Sequence, residues 1–320
     1  MARDNSERFP RVVASLAELP APFATALDAC LEGPDRPTVI LFVPRVALLG
    51  VQRGWRAWVL QLLPWHMSPE MVLVRTRTHL IVATAQSAGA TPVVTRISPA
   101  DLISIELGWV LLLAWFKLQC AGESGVAGTT IYFNSVGIEH FRRLLFDLNG
   151  ASAPQAQLET GACDRSALDD MPFKFKNIIG QRLMTRAERI EAVVFRPPVR
   201  KSAFRLSRYL PGLALVLTDA RLLIASEDEG STHQTTSYGM NALYIPRKRI
   251  QGWRMTSLND QCTLELHYGL RDAGAMLSLN FPGQLSEEIT GLMRRICPQQ
   301  PATPGLAAAA LVTNGTATLR

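Results

Sequence analysis

Leu217-Thr218-Asp219-Ala220-Arg221-Leu222-Leu223 places two aliphatic stretches on either side of a two-residue polar break. Leu213 to Thr218 and Arg221 to Ser226 therefore read as antiparallel strands joined by a tight turn through Asp219-Ala220, since a break this short leaves room only for a hairpin. A similar stretch occurs earlier. Thr76-Arg77-Thr78-His79-Leu80-Ile81-Val82-Ala83 matches Thr218 to Ala225 at a separation of 142 residues. A hairpin written twice predicts a duplicated fold, and repeats govern the rest of a sequence reading.

Three further landmarks recur in the same order. Phe42-Val43-Pro44 matches Phe195-Arg196-Pro197 at a separation of 153, each after an aliphatic run. Pro99-Ala100-Asp101-Leu102-Ile103 matches Pro246-Arg247-Lys248-Arg249-Ile250 at 147, and Ile131-Tyr132-Phe133 matches Leu279-Asn280-Phe281 at 148. The endings match at that last separation too. Phe141, Leu144, Leu145 and Leu148 have the i, i+3, i+4, i+7 spacing of one apolar helix stripe, as do Ile289, Leu292, Met293 and Ile296. Ser286 before Glu287 and Glu288 suggests an N-cap, and Arg294 and Arg295 suit the last turn. Leu264, Leu266 and Tyr268, then Leu277, Leu279 and Phe281, alternate with polar residues as strands, with Gly269 to Gly274 as their turn. Each unit thus reads as an opening helix, a series of antiparallel strands and one amphipathic helix. The run Trp109 to Phe116 is too short for a membrane span and reads as a strand buried on both faces.

The Leu217-to-Leu223 hairpin, the Tyr244-Ile245-Pro246-Arg247 segment and the closing helix together resemble bacterial pleckstrin-homology-like (and related GRAM-like) domains. The first unit departs from that pattern at the turn, where Arg77 stands in place of the Asp and His79 in place of the Arg. The resemblance implies a mainly β (α+β) chain with two half-open β-barrels of orthogonal antiparallel sheets, each closed by a C-terminal amphipathic helix. The expected organisation is an N-terminal segment over 1–21 with a short helix at Val12 to Leu19, units over 22–149 and 171–297, a linker over 150–170, and a disordered tail over 298–320. The motifs that carry the resemblance are structural and bring no catalytic residue with them.

Composition narrows the function. Five cysteines, at 30, 120, 163, 262 and 297, show no C-x-x-C spacing and suit reduced thiols in a cytoplasm. The charged N-terminus lacks the apolar core of a signal peptide. His66, His79, His140, His233 and His267 form no metal-ligand spacing, and no phosphate-binding glycine loop or nucleophile elbow is present. No cofactor is expected. Glu227-Asp228-Glu229 reads as a solvated turn.

The net charge of +6 is unevenly distributed, because residues 171–208 hold ten basic and two acidic side chains. In lipid-binding members of the resembled family the loop between the first two strands takes head groups. Here that loop spans Pro197 to Leu210 and carries Arg200, Lys201, Arg205 and Arg208. With Arg196, and with Arg247, Lys248 and Arg249 as an extension, these residues are the candidate site for an anionic lipid or an acidic protein surface. The competing reading is a set of solvated arginines pointing several ways. Trp55, Trp58 and Trp65, beside Arg53 and Arg56, form a second candidate at a membrane interface. The competing and better supported reading is a strand-loop-strand with core tryptophans, because the segment occupies the same place between landmarks as the basic loop of the second unit. The sequence pI of 9.3 raises nucleic acid as a third partner, but no helix-turn-helix, finger spacing or RNP-type strand accompanies it. The leading expectation is a non-catalytic binding or scaffold protein in the cytoplasm or at the inner membrane face. The alternative is an enzyme whose site assembles from dispersed residues.

Overall fold

The computed structural model describes residues 8–31, 35–48, 67–87, 89–148, 165–185, 187–203, 206–227 and 239–297, and within that set only the backbone of residues 200–203 and 206–209. The chain is mainly β. Its sheets are antiparallel and none closes into a barrel.

The first sheet is a meander of β1 (Arg11–Val13), β2 (Val39–Val43), β3 (Glu70–Arg75), β4 (Leu80–Ala85) and β5 (Val93–Ile97). Strands β2 to β4 are nearly continuous aliphatic runs, and both of their faces are covered. Leu41, Val43, Leu73 and Val82 enter the main core. Ile40, Phe42, Val72 and Val74 pack instead under α1 (Ala21–Asp28), which contributes the buried Phe23 and Leu27. A 3-10 turn at Pro99–Asp101, capped by the Ser98 hydroxyl accepting from the Ala100 N–H at 3.2 Å, leads onward. It opens β6 (Leu102–Val110), β7 (Leu113–Gly122), β8 (Gly125–Asn134) and helix α2 (Ile138–Leu148).

The second half opens with α3 (Phe173–Ile178), which runs into a π turn at Ile179–Leu183. Strands β9 (Ile190–Arg196), β10 (Val199–Ala203), β11 (Leu206–Leu210), β12 (Leu213–Thr218), β13 (Arg221–Glu227) and β14 (Gly239–Pro246) follow. A 3-10 turn at Arg247–Arg249 leads to β15 (Ile250–Leu258), β16 (Gln261–Leu270), β17 (Ala273–Pro282) and α4 (Ser286–Ile296). From Pro99 to Leu148 every element has a partner of equal length starting 148 residues later. Pro99 therefore stands opposite Arg247, one residue from the Pro246 that the sequence alignment selects.

The central sheet crosses the two halves. Its order is β8-β7-β6-β14-β13-β12-β9, with β6 and β14 antiparallel from Val110↔Gly239 to Ile105↔Tyr244. Ladder partners share a face, so Ile105 with Tyr244 and Leu107 with Ala242 face one core, which α2, α3 and the first sheet complete. Leu215, Leu217, Ile224 and Ile245 face the second core, which β15 to β17 and α4 complete. In α2 the four stripe residues are buried, and Phe146 widens the stripe toward the second half. In α4 Ile289, Leu292 and Met293 are buried, with Arg294 and Arg295 in the last turn.

Several expectations change. Trp109 to Phe116 is not one buried strand: Leu111 and Leu112 form the β6–β7 turn, 68% and 70% exposed. Nothing in that run marks a turn by composition, and Leu111 takes a left-handed φ of 50°. The β16–β17 turn is Arg271-Asp272, because the ladder continues through Gly269↔Gly274 and Leu270↔Ala273. Val12 lies in a strand and Leu16–Glu18 in one 3-10 turn, in place of a helix over Val12 to Leu19. Ser286 is the first helical residue rather than the N-cap, which is Leu285. Leu168, inside the expected linker, is fully buried in the main core, because the outer face of the central sheet needs a cover. The expected tail and most of the expected linker lie outside the described residues.

The turn matching Leu111 begins at Asn259, also left-handed at φ 54°, and asparagine tolerates that region far better than leucine. Leu111→Asn is expected to raise unfolding stability by roughly 0.5–1 kcal/mol in a urea titration. A loss of stability would mean that the leucine side chain supports the fold.

Candidate functional site

The hairpin that identifies the repeat closes on a threonine in both copies. Thr218 Oγ1 accepts from the Arg221 N–H at 3.1 Å and the Ala220 N–H at 3.3 Å. Thr76 Oγ1 accepts from the His79 N–H at 3.0 Å. This local bond competes with solvent for the turn and fixes the register of the strands behind it. Each hairpin is then tied to the start of its sheet by an acid. Arg221 and Glu188 are 3% and 5% exposed and pair through two guanidinium nitrogens, Nε to Oε1 and Nη2 to Oε2, the latter at 2.5 Å. Glu188 Oε2 also accepts from the Thr185 N–H at 2.9 Å and hydroxyl at 3.1 Å. The guanidinium lies 4.9 Å from the Tyr244 ring centroid and 5.7 Å from that of Phe146. Burial pushes the Tyr244 phenol well up, with Glu188 adding to that shift and the cationic Arg221 working against it.

In the first half Asp35 holds Glu188's place. Its Oδ2 accepts from Thr76 Oγ1 at 2.8 Å and Thr78 Oγ1 at 2.5 Å, and lies 3.6 Å from His79 Nδ1. Asp35 and Glu188 are 153 residues apart, the separation of Phe42 and Phe195. The two clamps are thus equivalent in position, one buried with arginine and one half-buried with histidine. Sequence reasoning passed over both acids, although that shared separation was a signal able to find them.

The candidate basic site divides. Arg196 is buried, donates to the Pro211 carbonyl at 2.6 Å and to that of Asn280, and lies over the Phe281 ring. Arg249 is buried and donates to the Leu102 carbonyl at 2.8 Å and to that of Ala100, tying the two halves together. Arg247 pairs with Glu191 at 2.9 Å and donates to the Arg295 carbonyl, while Lys248 is exposed. These two buried arginines leave the candidate surface, because the charge of each is spent on interior carbonyls. The Arg247–Arg249 turn leaves it by position. It follows the Pro246 end of β14, whereas β10 and β11 join the sheet beside the Gly239 end, about 26 Å away for eight residues of strand.

What remains is the β10–β11 hairpin. It pairs Arg200 with Tyr209 and Lys201 with Arg208 in backbone register, and Arg205 lies outside the described residues. Lys174 and Lys176, from the same basic stretch, pair with Glu227 at 2.8 Å and Asp169 at 2.6 Å. Glu227 is therefore a buried partner that also accepts from the Gly212 N–H at 3.0 Å, not part of a solvated turn. Trp55, Trp58 and Trp65 lie outside the described residues.

Other polar side chains gather on the face of β6 and β7 turned away from the main core. Trp115 Nε1 donates to Glu106 at 2.8 Å, and Ser104 donates to Gln119 at 2.6 Å. Tyr268 reaches that Gln119 oxygen at 3.4 Å, and burial raises its phenol to about 12. A Cβ at Gly108 would fall 2.1 Å from the Trp115 indole, so the ring lies directly on that glycine. The described residues hold no group of three potential metal ligands. No helix among them is long and apolar enough to cross a membrane. Compared with protein-family models and with curated proteins, the chain gives no match.

Glu188→Ala removes one partner of a buried pair and is expected to cost about 3–5 kcal/mol, measured by urea unfolding. An effect below about 1 kcal/mol would show that water reaches Arg221. The hydroxyls of Thr78 and Thr76, with lesser help from His79, hold the Asp35 carboxyl below its ordinary value of 3.8. The folded state thus favours the ionised form. Its contribution is full above the unfolded value and is lost as the pH falls through the folded one. Asp35→Asn should flatten the fall in stability between about pH 4 and pH 2; an unchanged slope contradicts this assignment.

Proposed function

We propose that this chain is a non-catalytic binding protein built from two pleckstrin-homology-like units, and that it engages an anionic partner through the β10–β11 hairpin. The duplication is supported by the constant 148-residue separation of matched elements, by the positive-φ turns at Leu111 and Asn259, and by the two threonine-closed clamps. The family likeness is supported by the order shared by the two halves: four sheet strands paired in sequence (β2 to β5; β9 and β12 to β14, with the β10–β11 hairpin inserted), a 3-10 corner, three more strands and a helix packed into the core. In this reading α2 and α4 plug two open corners between sheets.

The observation that carries the binding proposal is a contrast. Arg196, Arg221 and Arg249 are buried and serve interior carbonyls or a buried carboxylate, and the half-buried Arg247 pairs with Glu191. Arg200, Lys201 and Arg208 instead occupy a two-stranded hairpin that pairs with neither neighbouring sheet. A hairpin whose backbone joins neither sheet is not needed to complete their ladders, so its concentration of cations calls for a use outside the fold. The partner class is anionic lipid head groups or an acidic protein surface, met in the cytoplasm or at the inner membrane face.

Changing Arg200, Lys201, Arg205 and Arg208 together to Ala should abolish salt-sensitive binding both to anionic vesicles and to polyglutamate. At about 1 kcal/mol per basic residue, the expected loss is several hundred-fold at low salt. Equal binding by the parent and the quadruple variant on both probes would reject the hairpin as the site.

A further inference from the structure

Ten large apolar side chains are exposed among the described residues, and four of them gather at one end of the central sheet. Leu111 and Leu112 form the β6–β7 turn, 68% and 70% exposed. Val136, 64% exposed, follows the end of β8, where Ser135 binds the Leu111 carbonyl through its hydroxyl and the Leu112 carbonyl through its N–H. Phe173, 81% exposed, precedes the Lys174 that pairs with Glu227 at the end of β13. The β10–β11 hairpin leaves from this same end, because it joins the last residue of β9 to the first of β12.

Leucine at 111 does nothing for its own turn. Its backbone sits in the left-handed region, where the matching turn has asparagine followed by aspartate. Val110 pairs with Gly239 in the ladder, so this turn borders β14. The hairpin joins β9 and β12, four and three strand spacings from β6, so it emerges roughly 14–19 Å away at about 4.8 Å each. One end of one sheet therefore combines four exposed apolar side chains with three cations placed by register. An anionic bilayer is the surface that takes both at once, with cations at the head groups and apolar tips below them.

We propose that this end of the sheet is a bilayer-docking edge, in which Leu111, Leu112, Val136 and Phe173 enter an anionic membrane while the β10–β11 cations hold its head groups. The inference rests on the anionic-partner reading above and commits it to lipid. Its charge complementarity comes from Arg200, Lys201 and Arg208, and its depth from the two-leucine turn.

The test is flotation of the full chain with phosphatidylcholine vesicles, with or without about a third phosphatidylserine, across a salt series. Three proteins are compared: the parent, Leu111→Asn with Leu112→Ser, and Arg200→Ala with Lys201→Ala and Arg208→Ala. The turn variant takes its first residue from the Asn259 turn, and urea unfolding checks that it is folded. The parent should float with the anionic vesicles only. The turn variant should bind about tenfold more weakly yet keep its salt dependence. The cation variant should lose binding at every salt level. If the turn variant floats like the parent while the cation variant does not, membrane entry by the tip is overturned and the anionic-partner reading stands. If the parent ignores vesicles but binds polyglutamate, the bilayer is overturned and an acidic protein is the partner. If it binds neither, both proposals fall.

Discussion

The backbone ladder between β6 and β14 is the constraint from which the rest of the architecture follows. Six register pairs join a three-stranded sheet from the first half to a four-stranded sheet from the second, and both ladder strands lose their exposed edges. An unpaired edge is a template for aggregation, and pairing within the chain removes two such edges. Because ladder partners share a face, the join makes one continuous apolar surface, with Tyr244 beside Ile105 and Ala242 beside Leu107. A surface of that width needs a cover. Helix α2 contributes Phe146 to it, and the stretch from Leu168 to Leu183 supplies the remainder. The corresponding residue of α4 is Arg294, exposed, which matches the lack of any described sheet beyond it.

Arginine does in this interior what a polar pair must do to be tolerated there. Arg221 meets Glu188 with two bonds and rests on aromatic faces, while Arg196 and Arg249 answer main-chain carbonyls left over at corners between sheets. A buried cation is costly unless paired and hydrogen-bonded, so each of these side chains fixes the position of its partner. The half-buried Asp35–His79 clamp shows the same geometry under weaker constraint, since solvent screens the pair and no aromatic shelf lies beneath it. In each half an acid just ahead of β2 or β9 thereby reaches the hairpin formed by the next two strands of the same sheet, β3–β4 or β12–β13.

The two ends of the central sheet consequently differ in character. At the Pro246 end lie the clamp and the Arg247 and Arg249 ties, where polar groups are turned inward. At the Gly239 end lie the two-leucine turn, Phe173 and the root of the cationic hairpin, where apolar and basic residues leave the fold.

Local pattern was enough for much of the fold. Period-two alternation in β16 and β17, the i, i+3, i+4, i+7 stripes of α2 and α4, and the Asp219-Ala220 break fix element type by sterics and burial alone, and each stands where that pattern predicts. The basic hairpin was legible as a segment of charge. What the sequence left open depends on neighbours distant along the chain. Arg196 and Arg249 look the same in sequence as Arg200, and only the carbonyls of Asn280 and Leu102 brought beside them show that they are interior ties. The turn at Leu111-Leu112 carries no turn residue, so its place came from the β6–β7 ladder on either side. The order of residues along the chain determined most of the strands and helices and their repetition, because those obey short-range periodicity. Which strands met across the two halves, and so which arginines were buried and which leucines stood exposed, was decided by tertiary pairing, because burial is a property of what arrives from elsewhere in the chain.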